Sequence, residues 1–454
     1  MQPDGLAVPR RYWAIAAILL AISMSVLDGT IANIALPSIA HGFRVTGAAS
    51  VWVINAYQIA ILIALLPLAS LGEAVGYRRI SQTGLAVFTV ASLACSFAPS
   101  LTALCVARVI QGLGAAGIMS VNAALVRFTY PQHMLGRAIG INAFVIATSA
   151  AIGPTIASAV LAVAQWRWLF AINVPIGVVA IAIAVYALPA TERVPRRLSQ
   201  TGTVLNAAAL VLLVTGLQTF AHEQAALLAL AQIGAGCVFA YVLIRHELGS
   251  PAPLVPLDLL RIRLFRLSIA TSVCSFIAQM AAMVALPFGI QQLGRSPVET
   301  GLLMTPWSVA VALTAPGSGR LADRYHPGIL GGAGLLVLTA GLLLLAAIPH
   351  PATAWDFIWR MAVCGAGFGL FQSPNNRAML ASAPRARSGA AGGMLSTARL
   401  LGQTIGAAGV AILFRSYAQR GSEVALYIAA GFALAAAFLS LSRLTPESGH
   451  PAQP

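Results

Sequence analysis

SMSVLDGTIANIALP, residues 23–37, places one carboxylate, Asp28, inside an apolar stretch. That stretch covers about residues 13–40 with no other charge, long enough to cross the roughly 30 Å hydrocarbon core of a bilayer. Asp28 lies well past Arg11, about 25 Å along a helix at 1.5 Å per residue. An acid at such a depth costs roughly 2.5–3.5 kcal/mol. It is either a structural acid paired with a polar neighbour or a working group. Burial favours its protonated form, so it could take a proton from one side and release it to the other. A cationic cargo would compete for the same carboxylate, and exchange by mutual exclusion would follow.

The rest of the chain agrees that the solvent is lipid. Of 454 residues, 59% are hydrophobic and 9% charged, against about 25% charged in soluble domains. Apolar runs near span length recur from end to end, and we read fourteen spans. The spans lie near 13–40, 50–72, 80–98, 101–127, 137–164, 167–188, 201–221, 225–245, 266–291, 299–319, 327–348, 356–377, 388–414 and 423–443. The expected fold is an all-α polytopic membrane protein.

A formal net charge of +15 would suggest nucleic acid in a soluble protein. Here all 27 basic residues are arginine, most of them in short loops. On a fourteen-span reading, 19 of the 27 arginines fall on the side of the termini and 5 on the other. The positive-inside rule then puts both termini in the cytoplasm, and no nucleic-acid partner is expected. The twin arginines of PRRYWAIAAILL, residues 9–20, flank a span too long for a signal-peptide core.

The five cysteines form no CxxC pair, so neither a disulfide framework nor a metal site is expected. No P-loop, HExxH or GxSxG pattern occurs, so the chain is not expected to be an enzyme, and no cofactor is expected.

The chain also repeats itself. Ala35–Pro37 recurs at Ala285–Pro287, and Glu73 of LGEAVGYRR aligns with Asp323 of GRLADRY, both at an offset of 250. Arg108 aligns with Arg360 at 252, and Gly153 of GPTIASAVL with Gly402 of GQTIGAAGV at 249. Four matches in order at nearly constant spacing indicate two parallel six-helix halves, residues 1–188 and 266–454, with two inserted helices and their loops over 189–265. Duplicated halves with a midplane site are the architecture of secondary transporters.

Arg108 lies about 10 Å from the outer end of its span and Asp28 about 18 Å from that of its own, a gap that a long arginine side chain partly closes, and a nearby cation would help eject the Asp28 proton. The alternative is an arginine that snorkels or bonds backbone carbonyls. Arg399, in the second half, falls mid-span with its role open. Gly153–Pro154 sits inside the fifth span as a hinge or as ordinary small-residue packing. Glu73, Arg78 and Arg79 end one short loop and Asp323 and Arg324 another, either as a conformational latch to a neighbouring helix or as solvated turns. Candidate cavity residues are Asn33, Asn55, Tyr57, Gln58, Phe144, Gln279, Trp307, Gln372 and Asn375.

These motifs resemble the major facilitator superfamily, in particular its fourteen-span drug:proton antiporter branch, over essentially the whole chain. LDGTIANIALP resembles that branch's first-span motif, with Asp28 at its membrane acid. LGEAVGYRR is similar to the loop motif G-x-L-A-D-R-x-G-R-R, with Glu73 for its Asp, Ala69 for its first Gly and Ala74 for an Arg. RVIQGLGAAG matches the R-x-x-x-G motif at Arg108. GPTIAS resembles the antiporter motif G-P-x-x-G-G, with Ala157 and Ser158 for its last glycines, and WRWLFAINVPIG (166–177) is also typical of the branch.

The resemblance implies a multidrug efflux transporter that exchanges protons for lipophilic compounds such as quaternary ammoniums and dyes. With a single membrane acid, the expected cargo is monocationic or neutral. Its expected setting is a bacterial inner membrane, as a monomer driven by the proton gradient. The alternative is an exporter or symporter of an endogenous metabolite on the same fold.

Overall fold

Backbone amides in lipid must be bonded within the segment, which restricts spanning structure to helices or closed barrels. The computed structural model takes the first route: among the described residues there is no strand. It describes residues 5–45, 47–50, 52–191, 199–221, 226–248, 256–295, 297–349, 351–384, 387–417 and 420–444. Within them run fourteen helices of fifteen or more residues.

The first six are α1 (Arg10–Phe43), α2 (Trp52–Val75), α3 (Tyr77–Ser96), α4 (Leu101–Thr129), α5 (Leu135–Val163) and α6 (Asn173–Ala187). Then come α7 (Gln200–Ala221) and α8 (Ala226–Leu248). The last six are α9 (Arg263–Gln292), α10 (Pro297–Ala322), α11 (Pro327–Ala346), α12 (Ala354–Ser382), α13 (Ser388–Ser416) and α14 (Gly421–Leu441). By length and composition, ten helical segments among the described residues are apolar enough to cross a membrane. Those ten leave out α3, α5, α10 and α12. The last of these carries Asp356, Arg360, Asn375, Asn376 and Arg377, which lower its hydropathy.

The chain divides into two compact units, one of residues 1–257 with 383–400 and the other of 258–382 with 401–454. The inserted pair α7–α8 therefore groups with the first unit. α7 packs on α2, where Asn206 donates to the Ile63 carbonyl at 3.1 Å, and α8 packs on α7. Most of the α8 face is exposed, as befits a lipid-facing helix.

Each unit repeats the same helix contacts. α3 packs on α4, α2 on α4 and α6 on both α1 and α3 in the first; α11 on α12, α10 on α12 and α14 on both α9 and α11 in the second. At one matched crossing in each unit, glycine faces glycine. A methyl built on Gly84 of α3 would stand 2.8 Å from the Gly114 carbonyl oxygen of α4. One built on Gly334 of α11 would stand 2.7 Å from that of Gly367 of α12. Small residues let membrane helices meet backbone to backbone, and Gly84 and Gly334 are themselves separated by the repeat offset of 250.

Candidate functional site

Asp28 sits near the middle of α1 and is 2% exposed. Arg108, two turns into α4, is fully buried and pairs with Asp28 Oδ2 through Nη1. Ser100 caps this helix by accepting from the Ala103 amide at 3.2 Å, which fixes where its first turns begin. The same Nη1 donates to Gln111 Oε1 at 2.7 Å, and Nε donates to the Val53 carbonyl of α2 at 3.1 Å. Arg108 thus contacts both the acid and a backbone carbonyl.

The other carboxylate oxygen is also engaged. Gln111 Nε2 donates to Asp28 Oδ1 at 2.9 Å, and Asn173 Nδ2, from the start of α6, donates to the same atom at 3.1 Å. Gln111 further donates to Ser92 Oγ of α3 at 2.8 Å. Four helices besides α1 thus contribute to one carboxylate and its counter-ion. The guanidinium lies over the Tyr57 ring at 4.0 Å from its centroid and 5.5 Å from that of Phe170, contacts worth up to about 2 kcal/mol when desolvated. Tyr57 in turn donates to the Ser25 carbonyl at 3.0 Å. Arg108 Nη2 alone has no hydrogen-bond partner.

Chemically, this is a buried ion pair whose carboxylate accepts three side-chain hydrogen bonds. A buried pair is costly to break from one side, about 3–5 kcal/mol.

A second charged cluster lies at the other end of α2. Glu73, 1% exposed, accepts from Arg387 Nη1 at 2.9 Å and from the Ala390 amide at 2.8 Å. Tyr77 Oη accepts from the Gly389 amide at 2.9 Å. Both acceptors thus cap the first turn of α13, where unpaired amides carry partial positive charge. Arg78 donates to the Val185 carbonyl, and Arg79 is exposed. In the second unit, Asp323 pairs with Arg377 of α12 at 3.3 Å, Arg377 also reaches the Ala322 carbonyl, and Arg324 is exposed. Each loop acid therefore meets an arginine from another helix rather than the arginines that follow it in sequence.

The remaining candidates scatter. Asn375 is buried, donating to Ser272 Oγ at 2.8 Å and accepting from Arg443 at 2.7 Å. Trp307 is buried with no partner for Nε1. Gln279, Gln372 and Asn55 are half-buried, and Gln58 and Phe144 are exposed. Gly153 is buried, and a methyl there would clash with the Thr30 side chain of α1. The side chains of Asn33 and Pro154 lie outside the described residues. A cavity of about 620 Å³ in the first unit is lined by Ser38, His41, Gln165, Trp166 and Arg167 among others, none of them a candidate from the sequence.

Gln111, Asn173, Arg387, Arg377 and Arg443 were not singled out from the sequence. Gln111 had a signal, since it follows Arg108 by three residues and so shares its helix face. Asn173 also had one, an amide within an apolar run. The three arginines had none, because their partners are distant in the chain.

The sequence profile of the Major Facilitator Superfamily matches residues 18–407 and again 267–453. The chain is 52% identical over 448 residues to the uncharacterized transporter YebQ of Escherichia coli (strain K12), covering 98% of each. It is 28% identical over 426 residues to the multidrug efflux pump LfrA of Mycolicibacterium smegmatis, covering 93% of this chain and 84% of that one. Among solved structures it resembles the proton:xylose symporter XylE, with a TM-score of 0.69 at 14% identity over 96% of each chain. At that identity the likeness bears on the fold alone.

Proposed function

The chain belongs to the Major Facilitator Superfamily, and on that premise we propose that it exports lipophilic organic compounds from the cytoplasm in exchange for protons. In this reading the fourteen helices cross an inner membrane as two six-helix halves plus the α7–α8 pair, with both termini cytoplasmic. Asp28 carries the proton and Arg108 is its counter-ion. The observation that carries the reading is the enclosed carboxylate of Asp28, bonded by Arg108, Gln111 and Asn173. An ionisable group in a bilayer marks an ion pathway, and one whose donors come from separate helices links its protonation to their movement. The Glu73–Arg387 and Asp323–Arg377 pairs serve as latches that release as those helices shift. With one acid in the membrane interior, a cargo carries at most one positive charge. The likeness to LfrA supports efflux as the direction.

The test is dye transport driven by a proton gradient in liposomes. Wild-type protein concentrates the dye, whereas Asp28→Asn binds it without concentrating it. Uphill transport by Asp28→Asn overturns the proton-carrier role. An exporter or symporter of an endogenous metabolite is the second reading, left open because the relative at 52% identity is itself an uncharacterized transporter. Unchanged drug susceptibility of cells lacking the gene would select it.

A further inference from the structure

The interior of the first unit holds a second arginine that the proton site does not use. Arg399 stands eleven residues into α13, about 16 Å from its first residue. The next residue, Leu400, packs against the apolar cluster that contains Met24, Tyr57, Ile61 and Leu65. Arg399 is thus level with apolar side chains rather than with a loop. It is partly exposed, and it makes no hydrogen bond or ion pair with any described residue. An arginine within a spanning helix ordinarily pairs with an acid or bonds backbone carbonyls, as Arg108 does here.

Ser396 lies one turn earlier on the same helix face. It too is partly exposed and makes no hydrogen bond with any described residue. Thr397 and Ser422 also carry hydroxyls with no partner among the described residues, whereas others are bonded within their own helix. Ser25, Thr30, Ser92, Thr129 and Ser268 all donate to a carbonyl three or four residues back. A free hydroxyl and a free guanidinium spaced one turn apart form a pair of donors with no acceptor.

We infer that Ser396 and Arg399 form a subsite for an anionic or strongly electron-donating oxygen on the cargo, such as a carboxylate, a phenolate or a quinone carbonyl. The guanidinium supplies two parallel N–H donors and a positive charge, and the hydroxyl supplies a third donor. The charge argument points the same way. Asp28 is neutralised by Arg108 and enclosed, so the uncompensated charge among these residues is positive. This inference rests on the export reading and narrows its cargo. A neutral or singly charged lipophile with an acceptor oxygen fits the subsite, and a simple quaternary ammonium does not.

The test is equilibrium binding to purified protein in nanodiscs, without a proton gradient, using two xanthene dyes of opposite charge. Fluorescein carries an anionic carboxylate, and rhodamine 6G is an ester-capped cation. Wild-type protein is expected to bind fluorescein, and Arg399→Gln to weaken that binding at least tenfold. Arg399→Lys should retain more than Arg399→Gln, and Ser396→Ala should weaken fluorescein severalfold. Rhodamine 6G binding should stay unchanged or tighten in all three.

Equal losses for both dyes, no loss for fluorescein, or wild-type protein that does not bind fluorescein would each overturn the proposal. If Arg399→Gln does not fold, the Lys and Ser396→Ala variants decide by the same criteria. Because no gradient is applied, the outcome is independent of proton exchange. Uphill transport by Asp28→Asn would defeat the antiport reading and leave this subsite standing.

Discussion

Asn173 Nδ2 and Gln111 Nε2 converge on the same atom, Asp28 Oδ1, at 3.1 and 2.9 Å. One amide comes from α6 and the other from α4, so a single carboxylate oxygen fixes where those two helices sit against α1. Removing either amide leaves a buried acceptor short of a donor, which costs about 1–3 kcal/mol. Asn173→Leu and Gln111→Leu should each lower the melting temperature of the purified protein. Residues that share a partner do not add independently. In a background already carrying Asp28→Leu, either change should therefore cost much less, and full additivity would show that the amides act on something else.

Arg108 is the stronger half of that site. Arg108→Met keeps the volume of the side chain but strands a carboxylate that is 2% exposed. Breaking a buried pair from one side costs about 3–5 kcal/mol, whereas removing both charges is often close to neutral. Thermal melts should therefore rank Arg108→Met well below wild type, with the double variant Asp28→Asn/Arg108→Met recovering most of the loss. A double variant no more stable than Arg108→Met would mean that the arginine is held by Val53 and Tyr57 rather than by the acid.

Glu73 accepts from the Arg387 side chain and the Ala390 amide within the first turn of α13. Hydrogen bonds to a charged acceptor are worth about 1.5–3 kcal/mol each. Glu73→Gln keeps an oxygen for the amide but loses the ion pair. Its stability should drop less than that of Glu73→Ala, and Arg387→Ala should add nothing further to Glu73→Ala. The kinetic readout is labelling of a cysteine placed at exposed Arg79, on the same loop. A released latch should raise its labelling rate severalfold, and an unchanged rate in Glu73→Gln would reduce the contact to a helix cap.

Much of this was legible in the sequence, and the limits are physical. Helix positions followed from apolar length, and the repeat was readable because matches such as Glu73 with Asp323 and Arg108 with Arg360 recur at a nearly constant offset. Asp28 stood out because a lone acid in an apolar run has a solvation cost that no local partner offsets. Its partners were harder to see. Tyr57 read as a cavity lining, yet its ring packs under the Arg108 guanidinium. The loop acids read as latches to a neighbouring helix or as solvated turns, with no partner named; the chain leaves Arg78 on a carbonyl and brings Arg387 to Glu73 from 314 residues away. Sequence spacing reports neighbours on one helix face; it carries no signal for a side chain delivered by tertiary packing.

The two halves offer an internal control on how helix packing serves the proton site. A methyl on Gly112 of α4 would lie 2.6 Å from the Tyr57 carbonyl oxygen and 2.8 Å from Ala60 Cβ of α2. A methyl on Gly365 of α12 would run into the Trp307 carbonyl oxygen of α10. Tyr57 and Trp307 are themselves separated by the repeat offset of 250. Overpacking of this kind costs typically 1–3 kcal/mol, so Gly112→Ala and Gly365→Ala should lower the melting temperature by similar amounts. Their effects on coupling should differ. Moving α2 away from α4 lifts the Tyr57 ring and the Val53 carbonyl off Arg108, whereas Ala278 stands in the second half where the repeat offset places Asp28 in the first. In liposomes, Gly112→Ala should therefore lose proton-driven dye accumulation out of proportion to its loss of stability, and Gly365→Ala should not. Matching transport losses in the two variants would mean that helix packing, rather than the placement of Arg108, limits the cycle.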